Sequence, residues 1–498
     1  MPERATVLSR SEKSAEAVVL GGRAVEAGDR RGRAERVGGP KAVSLGRVMH
    51  QKPGELGRNA GGRGEADPEA VRDEARTARH ETGSPGRDGL LLQALAKANM
   101  EAAWKRVKSN RGSAGVDGLS IAETAAYLRA HWPRIRESLL DGSYRPSPVR
   151  RVQIPKSDGG VRELGIPTVT DRLIQHDLLQ VLQRRIDPTF SDHSYGFRPG
   201  RRAHDAVLDA QRYVQDGYRV VVDVDLEKFF DRVNHDILME RLARRIEDKA
   251  VLRLIRCYLV AGIMGGGVVM ERFEGTPQGG PLSPLLANVL LDEVDRELER
   301  RGHRFVRYAD DCNVYVRSRR AGERVLAGLT KLYERLRLKV NDAKTAVAPV
   351  SRRKFLGYAF WYGPGGQVKC RVADKALNAF KQRIRQFTCR SGGRNLTETA
   401  ERLRAYMPGW KAYFQLAQTP KVFRELDEWI RHRLRAVQLK HWRRGTTMYR
   451  ELKALGASET DARQVAANSR RWWRNSRFLL NRAMPVAYFD RLGVPRLS

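Results

Sequence analysis

Two adjacent aspartates between short apolar runs are the feature that most restricts the fold of this chain. Asp310 and Asp311 end the tetrapeptide Tyr-Ala-Asp-Asp, which lies between Phe-Val-Arg (305–307) and Cys-Asn-Val-Tyr-Val (312–316). Such runs on either side of a short polar break predict a β-hairpin with the two acids at its tip. Adjacent carboxylates repel each other, and a bound divalent cation offsets that repulsion. The pattern therefore predicts a metal site, although an isolated Asp-Asp pair is more often a solvated turn.

A third acid ends another predicted strand. Val220, Val221, Val222 and Val224 are typical of a buried strand, and Asp225 follows them directly. If this strand neighbours the hairpin in one sheet, Asp225 meets Asp310 and Asp311. Three such carboxylates suit two Mg²⁺ ions about 3.5–4 Å apart, which stabilise the attacking and leaving oxygens of a phosphoryl transfer. Asp223 precedes Asp225 on the same strand face, where it could be a ligand, a supporting group or a residue needed only for folding.

The charge of the chain indicates the kind of partner. Lys and Arg number 93 against 58 Asp and Glu, which gives a formal net charge of +35. This excess points to a polyanionic partner, with nucleic acid as the leading candidate and an anionic membrane surface as the lesser one. Together with the predicted magnesium site, the charge suggests polymerisation of a nucleic acid chain.

Patterns of membrane, secreted and zinc proteins are absent from the sequence. No run of 18 or more apolar residues could cross a bilayer, and the N-terminus lacks the apolar core of a secretory signal. We therefore expect a cytoplasmic protein. The four cysteines have no Cys-x-x-Cys spacing and no histidine at a zinc-ligand interval, so neither a disulfide framework nor a zinc module is indicated.

The chain divides into four parts by composition and periodicity. Residues 1–88 contain no Phe, Trp, Tyr or Cys. We expect them to form a disordered basic extension, either a tail without function or an arm that attracts RNA. Residues 89–372 mix helical and strand patterns, residues 373–445 are almost wholly helical, and residues 446–498 form a small helical tail. The predicted fold class is α+β.

Two loops are expected next to the predicted site. Residues 144–167 are predicted to form strands joined by the loop 156–160. The loop 275–281 is rich in glycine and proline and leads into a helix. Ser283 is the expected N-cap of that helix, with Pro284 at its first helical position.

Seven short blocks occur in order along the chain from about residue 100 onward. They are residues 115–118, 154–156 with 162–167, 194–199, 225–231, 276–279, 308–311 and 355–358. Together they resemble the blocks of a bacterial group II intron-encoded protein, which is a reverse transcriptase and maturase. The resemblance implies a right-hand polymerase with fingers and palm at 89–372, an α-helical thumb or maturase X domain at 373–445, and a DNA-contacting tail at 446–498.

The same resemblance assigns roles to individual residues. It implies that Asp225, Asp310 and Asp311 are the catalytic acids that bind Mg²⁺. Phe230 would lie under the sugar of the incoming nucleotide and reject a 2′ hydroxyl, for which a flat apolar ring offers neither a partner nor room. The alternative for Phe230 is an ordinary core residue.

Further residues are implied to contact nucleotide or primer. Lys156 and Arg162 would reach the triphosphate, where an ammonium and a guanidinium neutralise its charge. The alternative for this pair is a solvated hairpin tip. Gln278 would support the nucleotide and primer end, and Lys344 would lie near the primer.

The C-terminal third is predicted to contact RNA. Residues 403–444 resemble the maturase signature, and their helical period places aromatic residues inward. The expected basic surface along a phosphate backbone consists of Arg431, Arg433, Arg435, Lys440, Arg443 and Arg444. Residues 470–474, Arg-Arg-Trp-Trp-Arg, combine cations and rings in the tail.

The predicted function is RNA-directed DNA synthesis combined with binding and splicing of a group II intron. Its partners would be the intron RNA, target DNA with a primer strand, and dNTPs, with no membrane. Where many relatives continue into a zinc-containing endonuclease, this sequence stops, which implies retrohoming onto single-stranded or replicating DNA. Two alternatives remain. One is another bacterial reverse transcriptase, such as a retron, a diversity-generating or a defence-associated enzyme. The other is an RNA-binding maturase without polymerase activity.

Overall fold

The computed structural model describes residues 89–155, 161–265, 268–270, 272–477 and 479–498. The predicted disordered extension at 1–88 and the predicted loop at 156–160 lie outside these residues. The described chain mixes helices with three small sheets, as the α+β prediction requires. None of its helices is both long and apolar enough to span a bilayer.

The first part of the described chain contains four helices, three of which pack against the fourth, and a four-stranded sheet. The helices are α1 (Leu90–Ala94), α2 (Lys97–Asn110), α3 (Ile121–Asp141) and α4 (Val169–Ile186). The strands are β1 (Val149–Pro155), β2 (Val161–Ile166), β4 (Ile263–Gly265) and β5 (Val268–Met270), in the order β2-β1-β4-β5. β1 and β2 pair antiparallel from Arg150↔Ile166 to Pro155↔Val161, which confirms the hairpin predicted within residues 144–167.

The second sheet contains the predicted acidic strands. Its strands are β3 (Val220–Val224), β6 (Arg304–Tyr308), β7 (Asp311–Val316) and β8 (Ala346–Pro349), in the antiparallel order β6-β7-β3-β8. The helices around this sheet are α5 (Ala203–Gln215), α6 (His235–Ala243), α7 (Lys249–Val260), α8 (Ser283–Arg300) and α9 (Arg319–Arg335). The hairpin and the central strand are therefore confirmed.

This sheet is buried on both faces, which explains why its strands are rich in apolar residues. Val222 and Val224 belong to one hydrophobic core, whereas Val221 and Tyr315 belong to another. Because successive side chains of a strand point to opposite faces, a strand between two cores is apolar at most positions, and Asp223 is the exception within β3. The sheet thus separates a core shared with the N-terminal helices from a core shared with the C-terminal helices.

The predicted cap of α8 is wrong by one residue. Ser283 is the first helical residue, and Leu282 occupies the position before it. The Ser283 hydroxyl donates to the carbonyl oxygen of Pro277 at 2.8 Å instead of accepting from its own helix. The helix therefore begins at Ser283, one residue before the predicted first helical residue, Pro284, and the Ser283 hydroxyl bonds to the preceding loop.

The C-terminal part is a helical bundle joined to a three-stranded sheet. The strands are β9 (Lys354–Phe355), β10 (Tyr358–Tyr362) and β11 (Val368–Val372), in the order β11-β10-β9. The helices are α10 (Asp374–Phe387), α11 (Leu396–Tyr413), α12 (Pro420–Trp442), α13 (Gly445–Ala454), α14 (Glu459–Ala467), α15 (Trp472–Asn475), α16 (Leu479–Ala483) and α17 (Val486–Arg491). Trp410 and Phe380 pack in its core as tilted rings with centroids 4.2 Å apart.

Candidate active site

The ends of two neighbouring strands bring two of the predicted acids together. β3 pairs with β7 up to Val224↔Cys312, so the next position places Asp225 opposite Asp311. Asp225 is 5% exposed and Asp311 is 9% exposed. Asp310 lies in the two-residue turn between β6 and β7 and is half-buried. The sheet therefore supplies the strand adjacency on which the predicted acidic site depends.

A buried arginine holds the turn that carries Asp310. Arg307 is fully buried, and its Nη1 donates to the carbonyl oxygen of Ala309 at 2.8 Å and to Asn288 Oδ1 at 2.9 Å. Its Nε donates to Asp295 Oδ1 at 2.8 Å, which pairs the charge. Ala309 has a φ of +58°, a strained conformation for a residue with a side chain. Sequence reasoning missed Arg307, although a cation inside an apolar strand was a usable signal.

The block at residues 194–199 supports the same turn. Tyr195 N donates to the carbonyl oxygen of Arg307 at 2.9 Å, and Arg307 Nη2 donates to Ser194 Oγ at 2.7 Å. A Cβ on Gly196 would lie 2.1 Å from the backbone nitrogen of Ala309, so only glycine fits against the turn. This block fixes the position of the acids without contributing a ligand of its own.

The loop at residues 341–345 wraps around Asp225. Asn341 N donates to the carbonyl oxygen of Asp225 at 2.8 Å, and Asp225 N donates to Thr345 Oγ1 at 3.2 Å. Lys344 Nζ lies 3.6 Å from Asp225 Oδ2. The predicted primer-side lysine is therefore an ion-pair partner of a predicted catalytic acid in this structure.

Asp223 is engaged by an arginine from another part of the chain. Arg353 Nε donates to Asp223 Oδ2 at 2.9 Å, and Arg353 Nη2 donates to the carbonyl oxygen of Lys344 at 3.0 Å. Burial raises the pKa of Asp223, and the Arg353 guanidinium opposes the rise. Among the roles left open for Asp223, these contacts favour that of a supporting group, because they tie the 341–345 loop to β3.

Phe230 and Gln278 belong to one hydrogen-bonded assembly. Phe230 lies in a 3₁₀ turn, Phe229–Asp231, and its carbonyl oxygen accepts from Thr276 N at 2.7 Å. The carbonyl oxygen of Gln278 accepts from Gly165 N at 2.9 Å, which joins the 276–279 loop to β2. Phe230 and Gln278 are both half-buried, so each keeps an exposed surface.

The predicted triphosphate contacts cannot be placed as fully. Lys156 lies outside the described residues. The backbone of Arg162 pairs with Ile154 in the β1–β2 hairpin, and its side chain is outside the described part of the structure. Their proposed role stays a prediction.

Two of the six arginines and lysines predicted to form an exposed RNA surface are buried. Arg431 is 2% exposed and pairs with Asp427, with Nη1 and Oδ1 3.3 Å apart. Arg435 is 5% exposed and donates to the carbonyl oxygen of Met484 at 3.0 Å. Burial lowers the pKa of Arg435 to about 10. The surface prediction is wrong for both, because Arg431 pairs with Asp427 of its own helix and Arg435 bonds to Met484 in the chain that packs over α12.

The other four predicted cations remain accessible. Arg433 and Lys440 are half-buried, whereas Arg443 and Arg444 are exposed. The Arg433 guanidinium lies 5.3 Å from the Trp429 ring centroid, and Lys440 Nζ lies 5.2 Å from the Trp472 centroid. Cations stacked on rings in this way retain polar edges for phosphate oxygens.

The donor chemistry at the strand ends fits a hard divalent ion. Asp225 and Asp311 supply carboxylate oxygens, the ligand type that Mg²⁺ prefers. Within the described residues, no three His, Cys, Asp or Glu side chains are grouped closely enough to hold a metal ion. The three predicted acids are therefore not gathered into a complete metal site in this structure; Asp225 and Asp311 would hold a metal, with Asp310 on the adjoining turn as the further candidate ligand.

Comparison with protein families agrees with this architecture. Residues 154–360 match the family described as reverse transcriptase (RNA-dependent DNA polymerase), and its members generally use divalent metal ions. The sheet β6-β7-β3-β8, which we call the palm sheet, and its acids thus lie in a reverse transcriptase domain. Residues 377–456 match the group II intron maturase-specific domain. The chain thus carries a reverse transcriptase match followed by a group II intron maturase-specific match, the combination that the sequence blocks predicted.

Several known proteins are similar to parts of this chain. Protein YkfC of Escherichia coli is 39% identical, over 43% of this chain and 58% of the relative. Group II intron-encoded protein LtrA of Lactococcus lactis is 29% identical, over 57% of this chain and 60% of the relative. Nuclear intron maturase 2 of Arabidopsis thaliana is 32% identical, over 28% of this chain and 24% of the relative. The chain thus spans about three fifths of the length of the first two relatives.

Proposed function

We propose that this protein is an Mg²⁺-dependent RNA-directed DNA polymerase that also binds its group II intron RNA and assists splicing. The observation that carries the proposal is the placement of Asp225 opposite Asp311 at the ends of adjacent palm strands, inside the reverse transcriptase match. Carboxylates on rigid strands can hold the ions that stabilise an in-line phosphoryl transfer. The substrates would be dNTPs and a primer paired to an RNA template.

The residues around the acids support this chemistry. Phe230 would lie against the sugar of the incoming nucleotide, and Gln278 would support the nucleotide and the primer end. Lys344 would balance the charge of Asp225 until the metal and primer bind, since its ammonium is within ion-pair distance. Lys156 and Arg162 would neutralise the triphosphate from the β1–β2 hairpin.

The C-terminal helices would act as thumb and RNA-binding surface. We propose fingers and palm at 89–372, a thumb and maturase domain at 373–445, and a tail at 446–498 that contacts DNA. Arg433, Lys440, Arg443 and Arg444 would follow the phosphate backbone. The product would be intron DNA made during retrohoming at a target site, in the cytoplasm.

The polymerase assignment is tested by primer extension. Purified protein should extend a DNA primer on an RNA template with Mg²⁺, and Asp310→Ala should reduce extension to background while RNA affinity stays within about twofold, because the variant removes one candidate ligand and no basic group. Asp342→Ala is the matched control, since Asp342 is an exposed acid in the neighbouring loop. Normal extension by Asp310→Ala would show that the acids are assigned wrongly.

The maturase assignment separates the alternatives. The match at residues 377–456 favours an intron-encoded protein over a retron, a diversity-generating or a defence-associated reverse transcriptase. The DNA on both sides of the reading frame should then fold as a group II ribozyme with the gene in its fourth domain. A protein that promotes splicing of that RNA but fails to extend any primer would instead be a maturase without polymerase activity.

A further inference from the structure

A strip of stacked cations and rings lies at the end of the palm sheet opposite the acids. It consists of three cation–ring pairs, which we call the palm strip: Arg317 with Tyr218, Arg219 with Tyr362, and Lys369 with Trp361. The cation-to-centroid distances are 4.9 Å, 5.2 Å and 5.8 Å in that order. None of these residues has a role in the proposed polymerase site.

The backbone makes the strip continuous. β3 and β7 pair at Val220↔Val316, so Arg219 and Arg317 follow as cross-strand neighbours. Val350 N donates to the carbonyl oxygen of Arg219 at 3.0 Å, which ties this strand end to the chain leading into β9 and β10. Trp361 pairs directly with Lys369 between β10 and β11. The three pairs therefore lie at adjoining strand ends.

The strip concentrates positive charge, and among the described residues no ion pair neutralises Arg219, Arg317 or Lys369. Arg219 and Arg317 are exposed, and like charges directly across two strands destabilise the pairing. Arg320 and Arg352 are exposed close by in the sequence, whereas Arg319 is paired with Glu323 at 2.9 Å. A polyanion bound at the strip would offset this repulsion.

The strip is remote from the polymerase acids. Arg219 and Asp225 lie before and after β3, six positions apart, which corresponds to about 20 Å along a strand. The two ends of the palm sheet can therefore contact different molecules, or different segments of one molecule, at the same time.

We propose that the palm strip is a second nucleic-acid site that binds an RNA segment with unpaired nucleotides. A guanidinium stacked on a tyrosine keeps its outer plane for a base and its N–H edge for a phosphate. Tyr362 is 39% exposed, so part of its ring is available for stacking. Alternating rings and cations suit single-stranded RNA better than a duplex, whose bases are already stacked. This site goes beyond the proposed polymerase function and does not depend on it.

The test is a two-ligand binding experiment. Protein is first saturated with a primer–template hybrid, and a labelled single-stranded RNA is then titrated at several salt concentrations. We expect a second RNA to bind. The double variant Arg219→Ala/Arg317→Ala should weaken its binding about 10-fold and lower the salt slope by about 1 to 2, because each lost phosphate contact removes about 0.7 on single strands. Primer extension should stay within twofold of wild type.

Matched variants separate charge from stacking and from misfolding. Lys331→Ala/Arg335→Ala removes two exposed cations from the far end of α9 and should leave the second RNA bound normally. Tyr362→Leu keeps the charge of the strip. It should weaken the binding of single-stranded RNA about 10-fold and leave the binding of a paired duplex unchanged. Arg219→Lys/Arg317→Lys should keep the salt slope, which a misfolded variant would not.

The proposal fails under any of three results. In the first, protein saturated with primer–template binds no second RNA. In the second, the double variant Arg219→Ala/Arg317→Ala binds the second RNA as tightly as wild type does. In the third, anionic vesicles bind through the two arginines and RNA does not. If wild-type protein fails to extend primers but binds the second RNA through the strip, the polymerase proposal fails and the palm strip stands.

Discussion

The backbone of Phe230 is held by a hydrogen bond from Thr276 N, and its neighbour Phe229 fills the core. Phe229 is 1% exposed, whereas Phe230 is half-buried and meets it edge to face with ring centroids 5.1 Å apart. Lys228 adopts a left-handed conformation that turns the chain into this arrangement. Its role as a nucleotide contact stays a prediction, because the Phe230 ring packs in part against the core and keeps only part of its surface exposed.

Replacing Phe230 should change sugar selection more than catalysis. Phe230→Val should raise the relative kcat/KM for ribonucleotides over deoxyribonucleotides by about 10- to 100-fold, since a steric apolar contact rejects one extra hydroxyl by no more than about 100-fold. The measurement is single-nucleotide extension with each nucleotide class. Phe273→Val is the control, because Phe273 is an aromatic residue that is 81% exposed on the neighbouring loop. An unchanged ratio in Phe230→Val would place the sugar elsewhere.

At the scale of elements, the hairpin tip is fixed by Arg307 rather than by its own sequence. Arg307→Met should destabilise the protein by about 3–5 kcal/mol, because Asp295 would keep a buried charge without its partner. Arg307→Met/Asp295→Leu should recover part of that stability in denaturant unfolding. Extension should remain impaired in both variants, because the bond to the carbonyl oxygen of Ala309 is lost. Wild-type extension by the double variant would mean that this bond does not position Asp310.

The elements themselves were largely predictable, but their connections were not. The hairpin and β3 follow from local apolar runs, which encode strand identity directly. Burial of Arg431 and Arg435 depends on carbonyl and carboxylate groups more than 40 positions away, and no local pattern carries that information. The same holds for the bracing of Asp223 by Arg353. The candidate ligands could be predicted from local sequence patterns, whereas the positions of their side chains depend on contacts between residues far apart in the chain.

At the scale of the whole molecule, the two cores couple the C-terminal helices to the palm. Tyr413 OH donates to the carbonyl oxygen of Leu356 at 2.9 Å, and both residues belong to the core that extends from Tyr195 to Leu497. The proposed thumb and tail therefore share one hydrophobic core with one face of the palm sheet. A change in the bundle can reach the acids through this packing, whereas the second core connects them to the N-terminal helices.

That second core contains a carboxylate whose ionisation should make stability depend on pH. Asp177 on α4 is fully buried, and no hydrogen-bond partner for its carboxylate oxygens is found among the described residues. Burial raises the pKa of Asp177 to about 8. An unfolded aspartate has a pKa of about 3.9, so the folded state holds the extra proton between these values and loses stability as pH rises.

Asp177→Asn should remove this dependence. The gain in stability over wild type should be small near pH 4 and grow by up to about 1.4 kcal/mol per pH unit toward pH 8, because the amide never ionises. Burial lowers the pKa of the neighbouring His176 to about 4, which opposes folding at low pH, but this contribution is present in both proteins and cancels in the difference. The measurement is the denaturant midpoint of each protein from pH 5 to 8.5. Parallel curves would show that Asp177 is ionised or solvated in the native state, in which case α4 must open to water more than its packing indicates.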